Sequence, residues 1–530
     1  MTSTSVGVAV LAAFLGPGCG SSKPAAAGTT GSAGTTGSAG TTGSAGATGS
    51  AGTTGAAGTT GSAGSGANDG GAGGAGPAGA AGTDGGAPDG GGSSLTPMLV
   101  RASAAGHTRF YGVAYGANGG LYAVGQVTTS SDSNADIATV IAKFTAAGAL
   151  DKTFGADGVV VRNVANGTNG ELFRGIVVQQ STGKIVASGT VEHAGAADAR
   201  DRDIAVLRFN ADGTKDTTFG TDGVVTLDLS TGALNGTAFS ADSAWGLARY
   251  ADDRLVIQGG QVRTGGVDTD FALIRLSADG ARDTSFGTNG VVTLDTQTDG
   301  VSQSASPRNV TILPGTDGLV GAGYQPLKGG DTKPCLWKVS DAGVLDTTFG
   351  TGGVFSTVVL AEQAETYEAK VQPDATGTGY KLVTTGYGRQ LEAETTDILT
   401  MRISSAGVLD TTYGTSGYQR IDVGGFADNS RRLEVLPDRR IVLVGGGRPA
   451  AANVDGFVAL LTADGQLDET WSPTGWKLID LGGPADFLWS VTLSPDSKTI
   501  AAVGVAGVGT APTPATASDS AALVLLPVPQ

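Results

Sequence analysis

The chain has 530 residues with 89 glycines, 15% charged and 6% aromatic residues, and only two cysteines and two histidines. Its 49 acidic against 33 basic residues give a net charge of −16, which disfavours nucleic acid as a partner, while an apolar content of 40% excludes a wholly disordered chain. So few cysteines and histidines exclude a disulfide framework, zinc ribbons and haem attachment, and no metal or cofactor is expected.

Residues 6–15 form an apolar run too short to span a bilayer, followed by Gly16, Pro17, Gly18 and Cys19. The run reads as an export signal, and the small residues before Cys19 resemble the lipobox of bacterial lipoproteins, which implies lipidation at Cys19. Leu15 lies one place upstream of that pattern and residues 1–5 carry no Lys or Arg, so an ordinary signal peptide is the alternative. From Gly28 to Gly64 glycine recurs at every third residue without the proline that a collagen triple helix requires. Residues 20–94 are therefore expected to be a flexible tether with a reach of ~45–50 Å. Together they divide the chain into a signal with a lipobox cysteine (1–19), a low-complexity linker (20–94) and a folded domain (95–530).

The folded part repeats. Gly148, Asp151, Thr153, Phe154 and Gly155 define a turn whose aspartate recurs at Asp216, Asp283, Asp346, Asp410 and Asp468, and whose aromatic recurs at Phe219, Phe286, Phe349, Tyr413 and Trp471. Around it lie four short Val/Ile/Leu-rich runs; in the third copy these are residues 245–249, 254–259, 271–276 and 291–295. Four antiparallel strands repeated about every 62 residues predict an all-β fold, a β-propeller. A seventh set, residues 489–493, 499–504 and 521–526, has three strands, and residues 98–101 can supply the fourth. The expectation is seven four-stranded blades, the last closed by the N-terminal strand.

The run from Asp212 and Gly213 through Asp216, Thr218, Phe219 and Gly220 to Gly223, matched from Asp279 to Gly290, resembles the delta-60 repeat family of bacterial β-propellers. The resemblance covers residues 95–530 and implies the fold; it carries no activity. The turn itself reads as structural, with Asp216 and Thr218 accepting bonds from nearby backbone N–H groups, Gly213 and Gly220 at positive φ, and Phe219 filling space between strands. The alternative, a calcium site in each turn, lacks the Asp-x-Asp-x-Asp-Gly spacing.

Aligning the copies on the residue six places on (Pro314, Pro373, Pro437 and Pro495 where it is proline) places Tyr111, Arg174, Trp245, Arg308, Tyr367, Arg431 and Trp489 at the start of successive first strands. All seven are arginine or aromatic, a set suited to stacking on sugar faces and gripping carboxylate or phosphate. The competing reading makes each arginine half of an ion pair with the aspartate opening a third strand (Asp203, Asp270, Asp397, Asp455, Asp519). Arg308, with Lys333 at the matching place, is the single favoured ligand contact. The long connections 191–202, 229–243 and 506–518 fall on the same face, called the top. Lys184, Arg254, Lys381, Arg440 and Lys498 open second strands near the bottom and read as solvated charges.

The chain has no Gly-x-Ser-x-Gly elbow and no His-Glu-x-x-His, and His107 and His193 are isolated. No catalytic residue is therefore assigned. The leading expectation is a non-catalytic, monomeric, exported or surface-tethered propeller that binds a glycan, peptide or protein through its top face and meets the membrane only through a lipid. A carbohydrate-active hydrolase or lyase using top-face carboxylates is the alternative, and a structural spacer the third.

Overall fold

The computed structural model describes residues 96–529 except 131–135, 166–170, 193–201, 231–241, 263–267, 297–303, 328–330 and 509–517. Cys19, the linker, His193 and most of the three long connections lie outside the described residues. Among those described, every regular element is a strand, and no helix is long and apolar enough to cross a membrane.

The third repeat sets the pattern: Ser243–Arg249, Leu255–Val262, Thr269–Leu276 and Val291–Leu294 pair antiparallel in chain order. Equivalent four-strand units begin at Thr108–Tyr115, Leu172–Val178, Ser306–Ile312, Gln363–Pro373 and Asn429–Val435. A single parallel bridge between Thr332 and Gln363 joins two of these units into one eight-stranded sheet. The remaining sheet contains Phe487–Leu493, Thr499–Ala506 and Ser520–Pro527, with Met98–Val100 as its fourth strand in the register Met98↔Leu523 to Val100↔Ala521.

First strands pack against the first strands of neighbouring units in chain order, and Phe487–Leu493 packs back against Thr108–Tyr115. The apolar cores lie between units. Val124, Phe154 and Ile176 share one cluster across the first pair of units, and Phe110, Val140, Val503 and Leu523 share another across the first and last. A sheet covered on both faces buries both side-chain sets, which explains why Leu121–Thr128 and Ile185–Glu192 are buried at every position. The outer strand Val159–Arg162 has one uncovered edge and stays half-exposed.

The repeated turn is fastened to its own unit through its aspartate and meets the next unit through its aromatic ring. Asp216 Oδ1 accepts bonds from the Thr218 amide (3.2 Å) and hydroxyl (2.7 Å), so the threonine donates where it was expected to accept. Asp216 Oδ2 takes Nε of Arg208 (2.6 Å) and Nζ of Lys184 (2.7 Å). These donors hold the Asp216 carboxyl below its usual range, although burial acts the other way. The same geometry recurs with Lys143 on Asp151, Arg275 on Asp283, Lys338 on Asp346 and Arg402 on Asp410. Lys184, Lys381, Arg254 and Arg440 are thus ion-pair anchors rather than free solvated charges. The fully buried Phe219 ring meets the turn of the following unit, where a Cβ on Gly280 would stand 2.4 Å from it. Gly280 has φ +82°, so a side chain there would be both strained and obstructed.

Candidate functional site at the top face

Each of the seven aligned residues is the extra residue of a β-bulge. The register of the first strand on the second slips between Phe110 and Gly112, Phe173 and Gly175, Ala244 and Gly246, Pro307 and Asn309, Thr366 and Glu368, Ser430 and Arg432, and Leu488 and Ser490. A bulge re-aims the side chain it carries. Opposite each lies a glycine: Gly125, Gly189, Gly259, Gly323, Gly386, Gly445 and Gly504. At Gly386 a Cβ would come within 1.8 Å of the Glu365 carbonyl oxygen, so the bulge fits only against a residue without one. This glycine series was visible in the sequence as a repeat feature of the second strands, and it marks the site more directly than the prolines do.

The bulged side chains form one continuous circuit of contacts. The Arg174 guanidinium lies 6.0 Å from the Tyr111 ring centre and 4.0 Å from that of Trp245. Arg308 lies 4.1 Å from Trp245 and 4.6 Å from Tyr367, and Arg431 lies 4.1 Å from Tyr367 and 5.3 Å from Trp489. Trp489 meets Tyr111 edge-on at 5.2 Å. Aromatic faces stabilise a guanidinium by about 0.5–2 kcal/mol each, more when both are desolvated.

The three arginines differ. Arg308 is buried in an aromatic cage and donates to the Pro307 carbonyl (2.8 Å) and the Tyr324 hydroxyl (2.7 Å), with Tyr367 Oη at 3.4 Å. Burial lowers its pKa, but the Tyr324 and Tyr367 phenols and Glu365 outweigh that and raise it. Burial pulls Arg174 down to about 9, with the charges of Arg308 and Arg432 acting in the same direction. Arg431 is covered by Tyr367, Tyr387, Trp489 and Phe487, yet its buried Nε and Nη1 have no hydrogen-bond partner among the described residues. Arg431, Trp245 and Trp489 keep partial exposure. As whole residues, Arg431 is partly exposed and Arg308 is buried.

Where the expected aspartates can be followed, they serve other partners. Asp397 pairs with Arg420 at 2.5 Å, and Asp519 takes Arg109 together with His107, which hold its carboxyl at about 2 although burial opposes them. The carboxylates near the circuit are Glu365 and Glu368. Glu365 accepts from Gln363 Nε2 (2.8 Å) and the Tyr367 hydroxyl (3.3 Å), and Glu368 from Asn309 Nδ2 (2.5 Å) and the Leu433 amide (2.6 Å).

Two further features were not read from the sequence. Asp203 with Asp228 and Asp242, Asp397 with Asp422 and Asp428, and Asp455 with Asp480 and Asp486 each bring carboxylate oxygens within 4.8 Å of one another. One aspartate of each set serves the backbone: Asp242 accepts from Leu229 and Ser230, Asp428 from Val423 and Arg448, and Asp486 from Leu481 and Gly507. At the bottom face a cavity of about 450 Å³ is lined by Tyr115, Val178, Gln180, Arg249 and Leu493 among others. Its Arg249 is paired with Asp253 at 3.0 Å. None of the seven aligned residues lines it. The buried Cys335 thiol is pushed up to about 12 by its burial, which leaves it unreactive.

Tandem four-stranded antiparallel sheets with their cores between them define a β-propeller repeat protein. A family model described as "Domain of unknown function (DUF5122) beta-propeller" matches residues 180–219, 251–286 and 436–470, spans that contain second strands and turn aspartates. No curated protein matches. Among solved structures the chain is similar to an α-L-arabinofuranosidase from Fusarium graminearum, with 11% identity over 82% of this chain and 98% of that one and a TM-score of 0.41. It is similar to an ulvan lyase at 10% identity over 78% and 94%, with a TM-score of 0.43. It is also similar to a glucose dehydrogenase at 11% identity over 66% and 95%, with a TM-score of 0.38. At these scores the likenesses support no assignment of activity.

Proposed function

We propose that the chain is an exported seven-bladed β-propeller, closed by Met98–Val100 in its last blade, that binds a glycan, peptide or protein at the top mouth of its central channel without catalysis. The observation that carries this reading is the placement of arginine or aromatic residues on bulges at the same point of seven first strands. A bulge gives up ladder pairing, and apolar residues of similar volume would fill the mouth without burying charge. Protein donors on Glu365 and Glu368 favour binding over hydrolysis, which needs carboxyl oxygens free to reach a substrate.

The cellular part of the reading is that residues 1–19 direct export, Cys19 is lipidated, and residues 20–94 hold a monomeric propeller off the membrane. Val100 pairs near the start of Ser520–Pro527 and Met98 further along it, so the chain enters the propeller from the bottom. Fractionation tests the anchor: Cys19→Ala is expected to move the protein from the membrane to the soluble fraction, and unchanged membrane association contradicts it. Screening glycan and extracellular-protein arrays tests the binding, with Trp489→Ala as the control. A ligand lost in Trp489→Ala supports the reading; cleavage of an arrayed glycan favours the hydrolase or lyase, and no ligand at all favours the spacer.

A further inference from the structure

The chain as a whole is acidic, yet the space its first strands surround is basic. Three bulged arginines, Arg174, Arg308 and Arg431, are joined by Arg432, whose Nη1 reaches the Tyr367 carbonyl (3.3 Å) and whose Nη2 reaches the Trp245 carbonyl (3.5 Å) in another unit. Burial lowers the Arg432 pKa; Glu368 opposes this, and the charges of Arg308 and Arg431 add to it. An arginine keeps its proton at neutral pH whatever its surroundings, so all four remain cations.

Two carboxylates lie close enough to balance them, and neither forms an ion pair with Arg308, Arg431 or Arg432 among the described residues. Glu365 and Glu368 are taken up by Gln363, Tyr367, Asn309 and the Leu433 amide. Arg431 is the extreme case, because its faces are covered by aromatic rings while its buried Nε and Nη1 donors meet no acceptor among the described residues. Aromatic faces contribute to holding a cation but do not accept its N–H bonds in the plane of the guanidinium. A buried charge without a hydrogen-bonded counter-charge is costly, and a compact anion is the group that relieves both deficits together.

We propose that the top-face circuit binds a compact oxyanion, a carboxylate or sulfate group of its ligand, on Arg431 with Arg308 and Arg432 behind it. This rests on the ligand-binding reading of the same site and narrows it to acidic ligands. The partly exposed Trp489 indole lies against Arg431, and that of Trp245 lies against Arg308 behind it, so both give an optical signal for occupation of the site.

Titrating the full chain with sodium sulfate, sodium glucuronate and glucose, followed by calorimetry and tryptophan fluorescence at fixed low ionic strength, tests the inference. Saturable one-to-one binding of sulfate or glucuronate, none of glucose, and at least a tenfold weaker anion affinity in Arg431→Met are expected. Should Arg431→Met not fold, Arg431→Lys, which keeps the charge but loses the planar donors, is expected to bind at least threefold more weakly. The two anions separate a free inorganic ion from a uronate sugar as the preferred source. No saturable anion binding, or binding unchanged in both variants, overturns the inference. A neutral array ligand lost in Trp489→Ala, without anion binding, overturns it and leaves the ligand-binding reading standing. Anion binding weakened in Arg431→Met with no array ligand supports the inference and points to a small anion that the arrays do not carry.

Discussion

The Arg431 guanidinium lies 4.1 Å from the centre of the Tyr367 ring, and Arg308 stacks on the same tyrosine at 4.6 Å. Tyr367 thus separates two like charges while serving both. Tyr367→Leu is expected to cost about 2–4 kcal/mol, because it removes two stacking faces and buried ring volume. Tyr367→Phe, which keeps the ring and loses the hydroxyl contacts to Glu365, Arg308 and Tyr387, is expected to cost about 1–2 kcal/mol. Chemical denaturation of the two variants checks the difference.

The turn clamps predict a graded series. Arg208 is 3% exposed, and Asp216 is its carboxylate on the same strand-and-turn unit; Asp216→Asn is expected to cost about 3 kcal/mol by leaving a buried guanidinium short of its counter-charge. In the fourth copy Lys338 is 21% and Asp346 27% exposed, so water takes over part of the loss. Asp346→Asn is expected to cost about 1 kcal/mol. Equal losses in thermal unfolding would contradict the assignment.

Gly386 tests the bulge itself. A methyl group there meets the Glu365 carbonyl oxygen at 1.8 Å, which the backbone must relieve by moving the bulge that carries Tyr367. Gly386→Ala is expected to destabilise by about 2–4 kcal/mol and to perturb the near-ultraviolet aromatic signal. Gly377→Ala, in a bottom hairpin at φ +71° with no atom near the added carbon, is expected to cost only about 1 kcal/mol of backbone strain and to leave that signal intact.

These particulars show where the sequence was legible. The strands of the third repeat were read to within three residues of their observed ends, because Val/Ile/Leu runs between Gly/Asp turns describe buried strands directly. The N-terminal strand was placed opposite the last set from a count of missing partners, and it pairs there. The basic residue eight places before five turn aspartates, Lys143, Arg208, Arg275, Lys338 and Arg402, is equally visible in the sequence as the partner of each turn. The mutual stacking of the seven aligned residues was not legible. It depends on how far each bulge turns its side chain toward the next unit, a long-range property that spacing along one chain does not carry.

Burial sets a pH response. It raises the Glu171, Asp428 and Asp486 carboxyls to about 7, overriding the backbone N–H groups bonded to each. These groups bind protons more tightly folded than unfolded, so their stabilising contribution is complete below about pH 4 and is lost as pH rises toward 7. The turn aspartates work oppositely: hydrogen bonds from Thr153 and Lys143 hold Asp151 down at about 2, so its contribution is lost as pH falls below about 4. The melting temperature is expected to pass through a maximum near pH 4–5, and Asp428→Asn to flatten the limb between pH 4 and 7. A limb of unchanged slope in Asp428→Asn would contradict the burial argument.

The most direct measurement on the site is the affinity of the array-identified ligand for wild-type protein and for Trp489→Ala and Trp245→Ala, each first shown to melt as a folded protein. A circuit that receives the ligand predicts at least a tenfold loss in both variants, against no change in Lys498→Ala on the bottom face. Equal affinity in all four proteins would contradict it and return the seven bulged residues to packing alone.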